Sequence, residues 1–167
     1  MYTVHTEYEF VPGNCLFDSL AHGLVMHGWR GTGMKLREIV LDCIRDGGEK
    51  VDAAVEHWTA LSMLDEYSFV RCVENEARPL SEKARAKLAK TMQVCAKYYG
   101  DDFSMRVLAN KLNIRITVLR DGSAAFMQPE ATSPTHTLLV ALKDVHYTPI
   151  SFNGHYIVDT IGKPLKL

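Results

Sequence analysis

The sequence predicts an α+β fold, with helices in the first two thirds of the chain and strands in the last third. Three observations carry this expectation. Apolar residues recur at helical spacing in several segments between Cys15 and Leu112. Two later runs, Ile114 to Leu119 and Thr137 to Leu142, are short, apolar and rich in branched residues, as buried strands are. Glycines and prolines punctuate the boundaries, and no repeat, low-complexity tract or linker interrupts the chain, so residues 1–167 read as one domain.

Thr3 to Phe10 alternates loosely and reads as a short strand or extended arm. Pro12 and Gly13 end it. From Cys15 to about Met26, Leu16, Leu20 and Leu24 fall on one line and Phe17, Ala21 and Val25 on the next, predicting a helix. His27 to Gly33 is a glycine-rich connector without a Walker pattern. Met34 to Arg45 is a second helix, faced by Leu36, Val40 and Ile44 and stopped by Asp46-Gly47-Gly48. Glu49 to Trp58 reads as a third helix, and Thr59 to Ala77 as mostly helical. After Pro79, Ser81 caps a helix expected to reach Tyr99, with Ala84, Leu88, Met92 and Cys95 on its buried face and Lys83, Arg85, Lys87 and Lys90 in solvent. Asp101 and Asp102 start another helix that Asn113 closes. Asp121-Gly122 reads as a turn, Met127 to His136 as a loop, and His146 to Ser151 as a strand. Asn153-Gly154 reads as a hairpin turn into a last strand from His155 to Ile161.

Composition excludes several classes of function. A net charge of −1 gives no electrostatic footprint for nucleic acid. No apolar run approaches a membrane span, and no signal peptide precedes Gly13. The four cysteines (Cys15, Cys43, Cys72, Cys95) are widely spaced with no Cys-x-x-Cys pair, which argues against a metal site or a disulfide framework and for a reducing, cytoplasmic setting. Cys43 and Cys95 sit on apolar helix faces and read as small core hydrophobes.

Cys15 is different. It stands on the first turn of a helix, where the positive end of the helix dipole favours thiolate, the nucleophilic form. Asn14 is a candidate N-cap, its side chain accepting from free first-turn amides. Gly13 lets backbone approach a substrate closely, and the amides of Asn14 and Cys15 can point at a developing oxyanion, making Gly13, Asn14 and Cys15 the candidate oxyanion hole.

The run Pro12-Gly13-Asn14-Cys15-Leu16-Phe17 resembles the cysteine motif of the ovarian tumour (OTU) family of deubiquitinating proteases, usually Asp-Gly-Asn-Cys followed by two apolar or aromatic residues. Pro12 replaces the acidic first position. Three further stretches follow in the family's order. They are Tyr99-Gly100-Asp101 with the helix Met105 to Asn113, the strand Ile114 to Leu119, and Leu138 to Leu142 followed by a short loop and His146-Tyr147. The resemblance covers nearly the whole chain and is weakest between Trp29 and Leu80. It implies the papain-like cysteine protease class, an OTU-type domain with helices packed on a small β-sheet, and no cofactor.

In that reading Cys15 is the nucleophile and His146 the general base and acid. His155 is a rival histidine, though its place after Asn153-Gly154 also explains it as a turn-flanking residue. The family's third member is an Asp or Asn two residues after the histidine, and here that position is Thr148. Its hydroxyl can orient an imidazole but cannot balance the imidazolium charge. A Cys-His dyad, or an acid from Glu7, Glu9, Asp144 or Asp159, are the alternatives. Asp159 falls opposite Thr148 if the last hairpin continues in register from a Phe152–His155 pair. The resemblance implies hydrolysis of the isopeptide bond after the C-terminal glycine of ubiquitin or a ubiquitin-like modifier, by a protein expected to be monomeric. Small divergent members occur in viral polyproteins and intracellular bacteria, which implies a host-directed protease in host cytoplasm and, if viral, polyprotein self-processing. The different class kept open is a catalytically weak OTU fold that serves as a ubiquitin-binding or interaction module.

Overall fold

The computed structural model describes residues 1–46, 82–120, 124–127 and 134–159. The predicted helix Glu49 to Trp58, the segment Thr59 to Ala77, the Ser81 cap and the Asp121-Gly122 turn lie outside the described residues, as does the expected end of the last strand at Ile161.

The described elements are β1 (Tyr2–Val4), α1 (Cys15–Met26), α2 (Gly33–Asp46), α3 (Glu82–Met92), α4 (Asp102–Leu112), β2 (Ile114–Arg120), β3 (Ala124–Met127), β4 (His136–Lys143), β5 (His146–Phe152) and β6 (Ile157–Asp159). The sheet runs β1-β5-β4-β2-β3, with β6 also paired to β4. The β2–β4 pair is parallel and the other pairs are antiparallel. The α+β fold expected from sequence is therefore the fold observed.

Period-3.6 faces and period-2 strands meet in one core. Leu16, Phe17 and Leu20 of α1, Leu36 and Val40 of α2, Leu88 of α3 and Met105 and Leu108 of α4 are buried together with Ile116, Val118, Leu138 and Val140 of the sheet. Alternation along β4 sends Leu139 and Ala141 to a second cluster with Leu119, Ile150 and Val158. Strand β4 is thus buried on both faces, as its composition requires.

Local chemistry sets several boundaries. Asp101 caps α4 by accepting from the Ser104 amide at 3.1 Å in a capping box, and Asn113 ends it in the left-handed conformation at φ 54°. The N-terminal arm is strand only over Tyr2–Val4, where it pairs with β5.

Three expectations are corrected. Helix α3 stops at Met92 rather than reaching Tyr99, because the Met92 carbonyl accepts from buried Arg37 at 2.7 Å instead of serving the next helical turn. Cys95 therefore lies beyond the helix and is half-buried. Strand β3, whose alanines have low strand propensity, was not expected, and it takes Met127 out of the predicted loop. The last hairpin turns where expected, with Asn153 and Gly154 at φ 49° and 80° and a Phe152–His155 bridge, but β6 then pairs with β4. Thr148 faces Ala141, and Asp159 faces His136. Strand β5 has β4 on one edge and β1 on the other, so no edge is free for β6.

Candidate active site

The nucleophile side is built from a turn and a helix start. The Asn14 amide donates to the Val11 carbonyl at 2.9 Å and closes the turn. Gly13 stands at φ 83°, and a Cβ there would meet the Cys95 carbonyl oxygen at 2.3 Å. Only glycine fits, for conformational and steric reasons together. Cys15 follows as the first residue of α1. Burial pushes its thiol up, while the amides of Tyr147, Leu16 and Cys15 itself pull the other way; Asp18 adds a smaller upward push.

Asn14 does not cap α1 with its side chain as expected. It is fully buried and turned inward, donating from Nδ2 to Asp18 Oδ1 at 2.7 Å and accepting at Oδ1 from Arg37 Nε at 2.8 Å. Its amide is already committed to Val11, which removes it from the expected oxyanion set. Asp18 returns to the turn by accepting from the Val11 amide at 2.9 Å. Gly33, at the start of α2, packs against this pair so closely that a Cβ would meet Asp18 Oδ1 at 2.0 Å. Arg37 is 1% exposed and completes the grip with bonds to the Met92, Tyr98 and Gly13 carbonyls. Sequence reading missed Arg37. The signal was there: with Leu41 and Ile44 it forms an i, i+4, i+7 stripe on the buried face of α2.

The base side is a hairpin tip. Asp144 and Val145 form a two-residue turn between the paired residues Lys143 and His146, with Asp144 at φ 56°. His146 opens β5 and is exposed. Its ring meets the Phe10 ring edge-on, with centroids 4.9 Å apart and planes at 84°. Tyr147 turns into the core, and burial pushes its hydroxyl up to about 12.

A cavity of about 630 Å³ joins the two sides, lined by Gly13, Cys15, Phe10, Tyr99, Val145 and His146 among others. The residues named from sequence as nucleophile and base thus open onto one space. Thr148 is buried one strand repeat after His146, on the same side of β5. It lines a second cavity of about 520 Å³, shared with His146, Asp144, Leu119 and Leu142. His146 stands between the two spaces, and Asp144 is the carboxylate that shares the second one with it.

Two expected alternatives are separated from the site. His155 lies past the far end of β5, with its ring 6.3 Å from that of His27. Asp159 pairs with His136 at one end of β4, whereas His146 pairs with Lys143 at the other, roughly 23 Å away at the usual strand rise. The register that would have set Asp159 beside Thr148 does not form.

Behind both halves lies the start of α4. Asp101 accepts from Tyr98 Oη at 2.8 Å, and burial pushes its carboxyl up to about 6. Tyr98, buried, gives its carbonyl to Arg37, and the charge of Asp101 reaches Tyr147.

This geometry has relatives. A family model described as OTU-like cysteine protease matches residues 12–156. An OTU domain solved in complex with ubiquitin superposes with a TM-score of 0.65 at 14% identity, covering 95% of this chain and 74% of its own. The OTU deubiquitinase of Wolbachia pipientis wMel bound to ubiquitin gives 0.55 at 14% identity, covering 90% and 95%. The viral OTU domain protease of Farallon virus gives 0.54 at 14% identity, covering 91% and 85%. No curated protein matches the chain. The structures share the fold, the family match spans the turn before Cys15 through the strand of His146, and the chain belongs to the OTU-like cysteine proteases.

Proposed function

We propose that this chain is an active thiol protease that removes ubiquitin by hydrolysing the isopeptide bond after its C-terminal glycine. The observation that carries the reading is the shared cavity of Cys15 and His146. In the mechanism the Cys15 thiolate attacks the carbonyl carbon of the substrate's terminal glycine, and the carbonyl oxygen becomes an oxyanion. The Cys15 amide, the positive end of α1 and the Gly13 amide beside them serve that charge. His146 gives its proton to the departing lysine amine, leaving a thioester on Cys15. It then takes a proton from water, which attacks the thioester and frees the ubiquitin carboxylate. Thr148, on the side of His146 away from the nucleophile's cavity, orients the ring.

The rim supports the substrate class. Val11, Tyr99 and Val145 are exposed and apolar or aromatic around the opening. Such a rim suits an extended tail that ends in glycines and carries little side-chain bulk. The related domains solved with ubiquitin support the same partner. The described cysteines are free, and a nucleophilic thiol suits a reducing cytoplasm.

A second reading has one observation in its favour: among the described residues no carboxylate bonds to the His146 ring, as a catalytically weak ubiquitin-binding module would tolerate. A ubiquitin probe carrying a C-terminal electrophile separates the two. The protease forms a covalent adduct on Cys15. Saturable ubiquitin binding with no adduct would establish the binding module instead.

A further inference from the structure

Arg37 is the largest side chain fully buried in the described structure, and its four acceptors are all uncharged. They are Asn14 Oδ1, and the carbonyl oxygens of Met92, Tyr98 and Gly13, at 2.7–3.1 Å. The guanidinium also lies 4.7 Å from the centroid of the Phe17 ring. A buried charge without an ionic partner is a poor way to fill a core, where an apolar side chain of similar volume serves better. The guanidinium stands between two helix ends: it bonds the Met92 carbonyl at the negative end of α3, which favours a cation, and it lies behind the first turn of α1, whose positive end disfavours one. An anion on the first turn of α1 offsets the unfavourable one of these two. Burial works against the charged form of Arg37; Cys95 and Tyr98 of the facing segment favour it most, and the two groups on that turn that can be anions, Asp18 and Cys15, favour it in smaller measure. Asp18 is reached only through the Asn14 amide, which accepts from Arg37 and donates to Asp18.

The fork also joins two stretches distant in sequence. Gly13 and Asn14 lie directly before the nucleophile, and Met92 and Tyr98 bracket the segment whose Cys95 carbonyl packs on Gly13. We propose that Arg37 is a positioning residue for Cys15, holding the Gly13 carbonyl and Asn14 side chain against the Met92–Tyr98 segment and setting a positive charge behind the first turn of α1. This rests on the reading of Cys15 as nucleophile, but not on ubiquitin as the substrate.

The test uses two readouts on the whole chain: alkylation of Cys15 by iodoacetamide across pH, followed on the Cys15 peptide by mass spectrometry, and labelling by the ubiquitin probe. Thermal melts accompany both. Arg37→Met removes charge and fork, so Cys15 alkylation at neutral pH should fall about tenfold or more, with its pH midpoint moved upward. Arg37→Lys keeps the charge and loses the fork. Its midpoint should stay near that of the wild type, while probe labelling falls about tenfold. Asn14→Ala removes one acceptor and should slow labelling several-fold. A folded Arg37 variant that melts earlier yet matches the wild type in both readouts overturns the proposal, leaving Arg37 a purely structural residue. If neither Arg37 variant folds, Asn14→Ala decides: slowed labelling supports the proposal, and wild-type labelling overturns it. The substrate reading fails separately. If the probe labels nothing but the alkylation profile of Arg37→Met still shifts, the positioning role stands and ubiquitin is the wrong substrate.

Discussion

The turn before Cys15 is gripped from inside. Asn14 is fully buried, Arg37 binds both Gly13 and Asn14, and Gly33 is pressed against Asp18 with no room for a Cβ. His146, across the shared cavity, stands exposed on a hairpin tip with one ring edge against it. The difference teaches how the labour is divided. A nucleophile must be placed against backbone amides whose positions cannot adjust, so its loop is fixed by buried bonds made before any substrate arrives. A base that protonates a leaving amine has to meet an incoming substrate, and its tip is open to it. The two halves should therefore break differently.

The largest loss comes from removing either reacting group. Cys15→Ala and His146→Ala should each lower ubiquitin-conjugate hydrolysis by at least about a thousandfold, and the double variant should be little worse, since the two act as a unit. Melting temperatures should hold. His155→Ala, far from the cavity, should be mild. Full activity in a folded Cys15→Ala protein would end the reading at this site.

Gly13→Ala tests the rigidity of the nucleophile half. The new methyl would force a left-handed backbone on alanine and collide with the Cys95 carbonyl. The expected cost is about 2–4 kcal/mol of stability with activity lost in parallel, measured by chemical denaturation and probe labelling. A Gly13→Ala protein of normal stability would mean the loop yields, and the contrast between the halves would weaken. No equal penalty is expected at the exposed tip, where Val145→Ala should leave stability within about 0.5 kcal/mol.

Asp101 lies under both halves, through Tyr98 and Tyr147, and makes a pH-dependent prediction. Its folded carboxyl titrates at about 6, raised from 3.8 chiefly by burial. The folded protein holds a proton there that the unfolded chain has already released. That contribution to stability is present below pH 3.8 and lost as pH rises through 6. Asp101→Asn keeps a capping acceptor and removes the titration. It should match the wild type at pH 4 and exceed it by about 1–3 kcal/mol at pH 8. A variant weaker at pH 8 than at pH 4 would show that the carboxylate is favoured in place.

What the sequence disclosed follows from the range of each interaction. The Cys15 helix start, the α4 cap at Asp101 and the stop at Asn113 are local, and all were legible. Strands β2 and β4 were legible from their own apolar runs, and β5 from its place between the short loop after β4 and the Asn153-Gly154 turn. The end of α3 was not, because a side chain from α2 takes its Met92 carbonyl. Neither was the pairing of β6, which depends on β1 having occupied the free edge of β5. For the site, Cys15 and His146 came from motif and resemblance, and the structure sets both on one cavity. Arg37 stayed hidden because a single charged residue on an amphipathic helix reads as solvent-facing until its burial is seen.

The smallest expected effects concern what orients His146, and they sharpen the comparison most. Two neighbours compete for the task. Phe10 meets the ring edge-on from the cavity shared with Cys15, and Thr148 stands on the other side, two residues along β5. Neither can supply the full charge that a carboxylate would. A thiolate-imidazolium pair needs less of it, because the thiolate is itself the counter-ion. What remains is orientation, worth about 0.5–1.5 kcal/mol for an aromatic edge contact and about 1 kcal/mol for one net hydrogen bond. Phe10→Ala and Thr148→Ala should therefore each slow turnover only about threefold to tenfold. Phe10 also lines the substrate's cavity, so its loss should raise KM as well as lower kcat, while Thr148→Ala should act on kcat alone. Thr148→Asp should be tolerated or mildly activating, since a carboxylate there restores a partner for imidazolium at the cost of its own burial. A loss of several orders of magnitude in Thr148→Ala, with its melt unchanged, would make Thr148 a full member of a triad and bind the base as tightly as the nucleophile. If neither substitution matters, His146 needs no orienting neighbour and the pair works as a dyad. Steady-state kinetics on a fluorogenic ubiquitin substrate, with melts for each variant, distinguishes the three.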